Sequence, residues 1–224
     1  MMRLEPAGAE ALLLVLAERP DASLPLRIAR LAERIRAELG PLLTDLVPGW
    51  TSLLLHYDLQ RTDHLALAER LAPLLQPWQQ ADEASAAGAL HEIPVWYAGA
   101  DLGEVARRCG LTVERVIELH GAVEYRVGAI GFAPGFAYLG ELPEALALPR
   151  RATPRTQVPA GSLAIAERQT AIYPQASPGG WHLLGLCPWR LFDARRNPPC
   201  PLALGDRVRF VAVDERRYRR ELAL

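Results

Sequence analysis

The stretch at residues 130–181 constrains the fold of this chain most, because glycine and proline are interleaved along it. Glycine permits positive φ and close approach of another backbone, whereas proline fixes φ and removes a hydrogen-bond donor. This pattern predicts rigid, irregular loops, which can leave backbone N–H groups free to bind an anion. Arg150, Arg151 and Arg155 lie in the same stretch and add cationic groups that fit carboxylate or phosphate.

The charged side chains limit the classes of function open to this chain. Half of its 224 residues are hydrophobic and its formal net charge is −1. This balance indicates a globular protein and provides no general field that attracts nucleic acid or an anionic membrane. All 25 basic residues are arginine. Because lysine is absent, a P-loop lysine and a Schiff-base lysine are excluded, and arginine or backbone amides must bind any phosphate.

Cysteine spacing and hydropathy predict the compartment. Cys109, Cys187 and Cys200 are far apart and form no CxxC pair, which argues against a disulfide framework or a zinc site. The apolar run at residues 11–17 is shorter than the roughly twenty residues of a membrane helix. Acidic residues precede it, where a signal peptide carries positive charge. We therefore expect a cytoplasmic protein with no metal site and no membrane contact.

The first 90 residues alternate between strand and helix patterns. Apolar residues at positions 24, 28, 31, 35 and 39 predict an amphipathic helix capped by Ser23 and ended by Gly40. The remaining pattern predicts strands at 12–16, 42–47, 51–57 and 93–97, a helix from Asp63 to a stop at Pro77, and a linker at 79–89. The resulting order, βαββαβ, is typical of a ferredoxin-like domain.

Residues 91–224 show a different pattern. Asp101 and Glu104 have the spacing of a capping box, and Thr112 is placed to cap a second short helix. Beyond them, short apolar runs such as 123–130 and 207–213 are separated by glycine and proline. Short strands punctuated in this way predict a closed β-barrel or a sandwich. The predicted fold class is therefore α+β.

Five motifs in a fixed order resemble a known family. They are GFAPGFAYLG (131–140), PRRATPR (149–155), VPAGS (158–162), IYP (172–174) and SPGGW (177–181). Together they resemble the B-subunit family of prokaryotic 5-oxoprolinase, also described as KipI-like or allophanate hydrolase subunit 1-like. One departure follows SPGGW, where residues 185–188 read Gly-Leu-Cys-Pro and the family usually has Gly-Arg-Thr-Pro. The departure removes a possible anion contact and leaves the substrate open.

The resemblance implies a fold, an activity and partners. The implied fold is a ferredoxin-like domain over residues 1–90 followed by a cyclophilin-like β-barrel domain over residues 91–224. The implied function is that of one polypeptide of an ATP-dependent 5-oxoprolinase, which phosphorylates and hydrolyses 5-oxo-L-proline to L-glutamate. ATP, with Mg²⁺, would bind in a site shared with the C subunit, and the heteromeric complex would include the A subunit. We expect this chain to be inactive alone.

Two other functions remain open on the same scaffold. One is a KipI-like inhibitor that binds a sensor histidine kinase. It belongs to a different functional class, because inhibition by binding requires no catalysed reaction. The other, peptidyl-prolyl isomerase, rests on fold analogy alone.

The candidate site residues lie in the motif stretch and on one helix before it. His120, Arg150 and Arg155 are the predicted catalytic residues, because histidine titrates near neutral pH and arginine binds anions. His182 is a second acid–base candidate. The predicted substrate-binding residues are Phe132, Pro134, Gly135, Phe136, Tyr138, Arg151, Tyr173, Pro178, Gly179, Gly180 and Trp181.

Each of these residues also has a structural alternative. The aromatic side chains suit a barrel core, and single arginines suit a solvated surface. His120 suits a hydrogen-bonded helix end, where the helix dipole is expected to favour its charged form. Gly135, Gly179 and Gly180 are the positions where a ligand or a partner backbone is expected to approach most closely.

Overall fold

The computed structural model describes residues 2–80 and 88–223. The chain divides into two compact units, Met1–Gly88 and Ala89–Leu224. Both units combine helices with sheets, so the α+β class predicted from the sequence is confirmed. Within the described ranges, no helix is both long enough and apolar enough to cross a membrane.

The first unit is a sheet packed against helices. Its elements are β1 (Arg3–Pro6), β2 (Ala11–Val15), α1 (Leu24–Leu39), β3 (Leu43–Pro48), β4 (Ser52–Tyr57) and α2 (His64–Gln80). The strand order is β1-β2-β4-β3, and each neighbouring pair is antiparallel. The predicted apolar face of α1 is buried, as expected for an amphipathic helix that covers a sheet.

The predicted βαββαβ order is wrong at its last strand. The β2-α1-β3-β4 segment forms the expected core, but the strand predicted at 93–97 belongs to the sheet of the second unit. The edge position beside β2 is taken by β1, a short and mostly exposed strand that the sequence pattern did not reveal. Its hairpin with β2 closes only a short loop, which costs little chain entropy.

Two predicted helix boundaries are also corrected. Ser23 makes no side-chain cap; instead, Asp21 Oδ1 accepts hydrogen bonds from the backbone N–H groups of Ser23 and Leu24. The second helix does not stop at Pro77 but continues to Gln80. Arg27 of α1 donates a hydrogen bond to the Trp78 carbonyl, and its guanidinium carbon lies 4.3 Å from the centroid of the Trp78 ring. These contacts connect the last turn of α2 to α1. Most of the predicted linker, residues 81–87, lies outside the described residues.

The second unit is built on a mixed sheet that nearly closes into a barrel. Its elements are β5 (Leu90–Val95), α3 (Leu102–Cys109), α4 (Val113–Gly121), β6 (Glu124–Ile130), β7 (Ala137–Gly140), β8 (Arg155–Val158), β9 (Ser162–Ala166), β10 (Gln169–Ile172), β11 (Ser177–Gly179), β12 (His182–Leu186), β13 (Arg207–Ala212) and α5 (Glu215–Leu222). The main sheet has the order β12-β9-β10-β7-β6-β13-β5, and β8 pairs with β11 separately. Trp96 and Leu186 exchange two backbone hydrogen bonds, which join its two edge strands.

The barrel wall is buried on both faces along β9 and β10. Leu163, Ile165 and Ile172 point into the main core, which also contains Val127 and Phe210. The alternate residues of the same strands face a second, smaller core built from Ala164, Ala166, Ala171, Phe136, Val158, Tyr173, Trp181 and Leu183. Because side chains alternate between the two faces of a strand, one wall supports both cores. The motif stretch supplies most of the second core.

Candidate functional site

The loop between β6 and β7 presents an exposed aromatic ring on a strained backbone. Phe132 has φ of 71° and is 66% exposed. Positive φ is unfavourable for a bulky residue and persists only where the surroundings enforce it. The loop is closed by hydrogen bonds from Gly131 N–H to the Phe136 carbonyl and from Phe136 N–H to the Ala133 carbonyl. Strain combined with an exposed apolar ring marks this loop as a candidate contact surface.

The predicted aromatic residues form one cluster centred on the buried Phe136 ring. Its centroid lies 5.2 Å from that of Phe132, 4.8 Å from Tyr138, 5.4 Å from Tyr173 and 5.9 Å from Trp181, all in edge-to-face geometry. Such contacts stabilise a cluster beyond the burial of its surface. Tyr173 and Trp181 are buried, whereas the Phe132 ring is exposed at the surface of the protein.

Gly135 and Gly179 allow close approaches, but the approaching groups belong to this chain. A Cβ on Gly135 would lie 2.4 Å from the Leu191 carbonyl oxygen, and φ at Gly135 is 81°. A Cβ on Gly179 would crowd the hydroxyl of Tyr173. The predicted approach of a ligand to these two glycines is therefore replaced by internal packing. Gly180 is half-exposed, and Pro134 and Pro178 are exposed.

Asp101 is the centre of a charged network that the sequence pattern did not reveal. This carboxylate is 3% exposed. Its Oδ1 accepts from Arg151 Nη1 at 3.0 Å and from Arg155 Nη2 at 2.6 Å, and its Oδ2 accepts from Leu183 N–H at 2.7 Å. Burial by itself raises the pKa of Asp101, but the hydrogen bonds from Arg155 and Leu183 and the arginine charges lower it overall. The carboxylate therefore stays ionised.

Several polar atoms around this network are buried without a hydrogen-bond partner among the described residues. They are Arg151 Nε, Arg155 Nη1, Ser177 Oγ and His182 Nδ1. His182 Nε2 lies 2.9 Å from the Pro149 carbonyl oxygen, which can only accept, so in the neutral ring Nδ1 is a free acceptor. Unsatisfied buried polar groups are uncommon in folded proteins and mark functional or strained regions.

The backbone ties two of the motifs together at this network. Arg151 N–H donates to the Gly180 carbonyl at 2.8 Å, and Arg155 pairs with Gly179 across β8 and β11. PRRATPR and SPGGW thus lie side by side, with Asp101 behind them. Arg150 differs from its two neighbours, because its side chain is 60% exposed and its Nε is 3.7 Å from Glu167. Of the three predicted arginines, Arg150 is the one that faces solvent most openly.

His120 is fully buried, and its ring packs against Tyr125 and Phe210 of the main core. Its Nδ1 is 2.8 Å from the Tyr97 hydroxyl and its Nε2 is 3.0 Å from Thr170 Oγ1. Because the Thr170 hydroxyl donates to the Ala164 carbonyl, Nε2 carries the proton and Nδ1 accepts. Burial lowers the pKa of His120 to about 3, so the expected charged form is wrong. Its catalytic role stays a prediction, and these surroundings favour the structural alternative.

Of the three predicted arginines, Arg150 is the one open enough to bind an anion. Arg151 and Arg155 are largely committed to Asp101, and Glu104 lies 3.5 Å from Arg151. Arg150 remains the most open guanidinium of the three, and its charge acts on the Tyr173 hydroxyl of the aromatic cluster. The sequence did not predict the pairing of Asp101, because its arginine partners are 50 and 54 positions away along the chain. Its capping-box spacing pointed to a different role, although the structure shows no side-chain cap at that position.

The fold and these motif loops define a class of protein. The family model for the carboxyltransferase domain, subdomain C and D, matches residues 2–202. The chain is 44% identical over 192 residues to the 5-oxoprolinase B subunit of Escherichia coli O157:H7, covering 84% of this chain and 86% of that protein. It is 35% identical over 233 residues to the 5-oxoprolinase B subunit of Bacillus subtilis (strain 168), covering 96% and 95%.

The chain therefore belongs to the B-subunit family of 5-oxoprolinase, as the motif resemblance predicted. Among solved structures, it is similar to TTHA0988, with 40% identity and a TM-score of 0.79 over 96% of this chain. The chain spans about 40% of the length of that solved protein.

Proposed function

We propose that this chain is the B subunit of a 5-oxoprolinase complex that hydrolyses 5-oxo-L-proline to L-glutamate with ATP and Mg²⁺. The site is shared with the C subunit, the complex includes the A subunit, and the B subunit is inactive alone. In this proposal the Ala89–Leu224 unit is a cyclophilin-like domain. The observation that supports it most strongly is the 44% identity to a protein named as the B subunit of 5-oxoprolinase.

The motif surface supplies part of such a site. Arg150 offers one open guanidinium, which fits the single carboxylate of 5-oxoproline. Phe132 and the half-buried Tyr138 supply an apolar wall that excludes water from the substrate ring. The surface does not fit a triphosphate, because Arg151 and Arg155 are held by Asp101 and the chain has no lysine. This mismatch agrees with a site completed by a partner polypeptide.

The test is turnover by the assembled complex. The A, B and C subunits are co-expressed, and ATP hydrolysis that depends on 5-oxoproline is measured. Arg150→Ala is expected to abolish turnover while leaving the thermal unfolding temperature unchanged, since the side chain is mostly exposed. Arg168→Ala is the matched control, because Arg168 is an arginine of similar exposure that pairs with Glu141. It is expected to retain normal turnover.

The same experiment separates the competing function. A complex that shows no 5-oxoproline-dependent ATP hydrolysis, together with an isolated chain that suppresses autophosphorylation of a sensor histidine kinase, would replace the enzyme proposal with the KipI-like one. Normal turnover with Arg150→Ala would instead move the substrate site away from this surface.

A further inference from the structure

A concave site in the Ala89–Leu224 unit lies between α5 and the segment that follows β12. Its volume is about 1070 Å³, which is ample for a nucleotide-sized molecule. One wall is apolar and partly aromatic, formed by Trp189, Tyr218, Pro174, Pro188 and Leu222. Arg190, Arg195 and Arg196 line the same cleft. The proposed 5-oxoproline surface contributes none of these residues.

The three arginines share one buried carboxylate. The carboxylate belongs to Asp193. Arg195 binds it through two hydrogen bonds, with Nε 3.1 Å from Oδ1 and Nη2 3.1 Å from Oδ2. Arg190 Nη1 is 3.5 Å from the same carboxylate, and Arg196 Nε is 4.0 Å from it. Arg190 and Arg196 are therefore only weakly paired with Asp193, and their side chains are more than 60% exposed. One negative charge faces three positive charges here.

The other ionisable groups of the cleft do not cancel this excess. Glu221 accepts from Arg217 Nε at 2.7 Å, so its charge is already paired. Burial raises the pKa of Cys187 to about 12, so the thiol stays neutral. Burial also raises the pKa of Tyr218. The lining therefore combines a positive rim with a neutral aromatic wall.

The charge distribution along the chain points to the same region. Residues 190–224 contain nine arginines and five acidic residues, whereas residues 1–189 contain 16 arginines and 21 acidic residues. The arginines also lie on an ordered segment, because Asp193 N–H donates to the Pro199 carbonyl and Asp193 Oδ1 accepts from Arg195 N–H. A backbone that is already ordered loses little further entropy when a ligand binds.

We propose that this cleft binds the phosphate groups of a nucleotide, with Arg190 and Arg196 on the phosphates and Trp189 and Tyr218 beside the base. Guanidinium groups bind phosphate through paired hydrogen bonds, and nucleobases pack on aromatic side chains. In a chain without lysine, arginine side chains or backbone amides have to bind phosphate, and this cleft has three arginines. The cleft shares no residue with the proposed 5-oxoproline surface. It is therefore a second nucleotide site, distinct from the ATP site that the proposed function shares with the C subunit, and it holds whether or not the chain acts on 5-oxoproline.

The test is a direct binding measurement with the purified full-length chain. ADP and inorganic phosphate are titrated separately by calorimetry at fixed ionic strength. ADP is expected to bind one to one in the millimolar range or tighter, more tightly than phosphate, and more weakly as salt is added. The double variant Arg190→Gln with Arg196→Gln is expected to lower the ADP affinity about tenfold or more, and Arg195→Gln less, because Arg195 is committed to Asp193.

Arg219→Gln is the matched control. Arg219 lies on α5, is exposed, and pairs with Glu215, but it does not line the cleft. This variant is expected to bind ADP within about twofold of the unmodified chain, and both it and the double variant are expected to keep the unfolding temperature of the unmodified chain. The proposal is overturned if ADP does not bind, if phosphate binds as tightly as ADP, or if Arg219→Gln weakens binding as much as the double variant.

Discussion

The Ala89–Leu224 unit contains two buried polar networks that differ in how fully their hydrogen bonds are satisfied. In the main core, both ring nitrogens of His120 are paired, and the Tyr125 hydroxyl donates to its backbone carbonyl. Beside the motif loops, Asp101 is fully engaged, but Arg151 Nε and Arg155 Nη1 have no partner among the described residues.

The difference separates structural from functional candidates. A complete network in a buried core stabilises one arrangement and leaves no group available for a ligand. A network with spare donors, next to a strained loop and an exposed ring, is what a binding surface requires. Histidine is the residue type most often used for acid–base chemistry, yet here the motif network is the better functional candidate.

The largest expected effect tests whether Asp101 holds the motif loops together. Asp101→Ala leaves two guanidinium groups without their buried carboxylate and Leu183 N–H without an acceptor. We expect a loss of about 3–5 kcal/mol in the free energy of unfolding, measured by urea denaturation. Glu104→Ala is the control, because its carboxylate is more exposed and more distant, and we expect a loss below about 1 kcal/mol. Equal losses would show that Asp101 has no special role.

A second expected effect tests whether the His120 ring is protected from protonation in the folded state. The folded-state pKa of His120 is depressed to about 3, so its contribution to stability is present above the unfolded value near 6.5 and is lost as pH falls. Between about pH 6.5 and 5, we expect this residue to reduce the free energy of unfolding by about 1.4 kcal/mol per pH unit.

The measurement is urea denaturation at a series of pH values. His120→Gln should remove this slope, whereas His56→Gln, the same substitution in the other unit, should retain it. An unchanged slope in His120→Gln would mean that protons reach the ring in the folded state, which would revive its acid–base role.

The smallest expected effect on stability compares two strained positions. Phe132 and Glu167 both have positive φ, at 71° and 54°. Asn tolerates this conformation, so Glu167→Asn should stabilise the protein by up to about 1 kcal/mol. Phe132→Asn should change stability by less, because strain relief is offset by loss of the ring contact with Phe136. Turnover of the assembled complex should fall for Phe132→Asn, and normal turnover would mean that the exposed ring has no functional role. Glu167→Asn is compared by stability alone, because Glu167 pairs with Arg150.

Part of this molecule was predictable from local patterns. The apolar stripe of α1, the Thr112 cap of α4 and the β-rich second half follow from residues that are close in sequence. The motif order identified the family. The edge strand of the first sheet was not predictable in this way, because β1 is short and mostly exposed, and only its pairing with β2 identifies it as a strand.

The sequence by itself determined the secondary structure of most elements, the irregular loops of the motif stretch and the exclusive use of arginine as the basic residue. Only the tertiary structure decided which charges meet. In the folded chain His120 is buried, and Asp101 pairs with Arg151 and Arg155, whereas Arg150 stays open to solvent. Arg190 and Arg196 line a cleft in which they share one carboxylate. The physical reason is that a side chain's pKa and pairing depend on its burial and on groups that are distant in sequence, which no local spacing encodes.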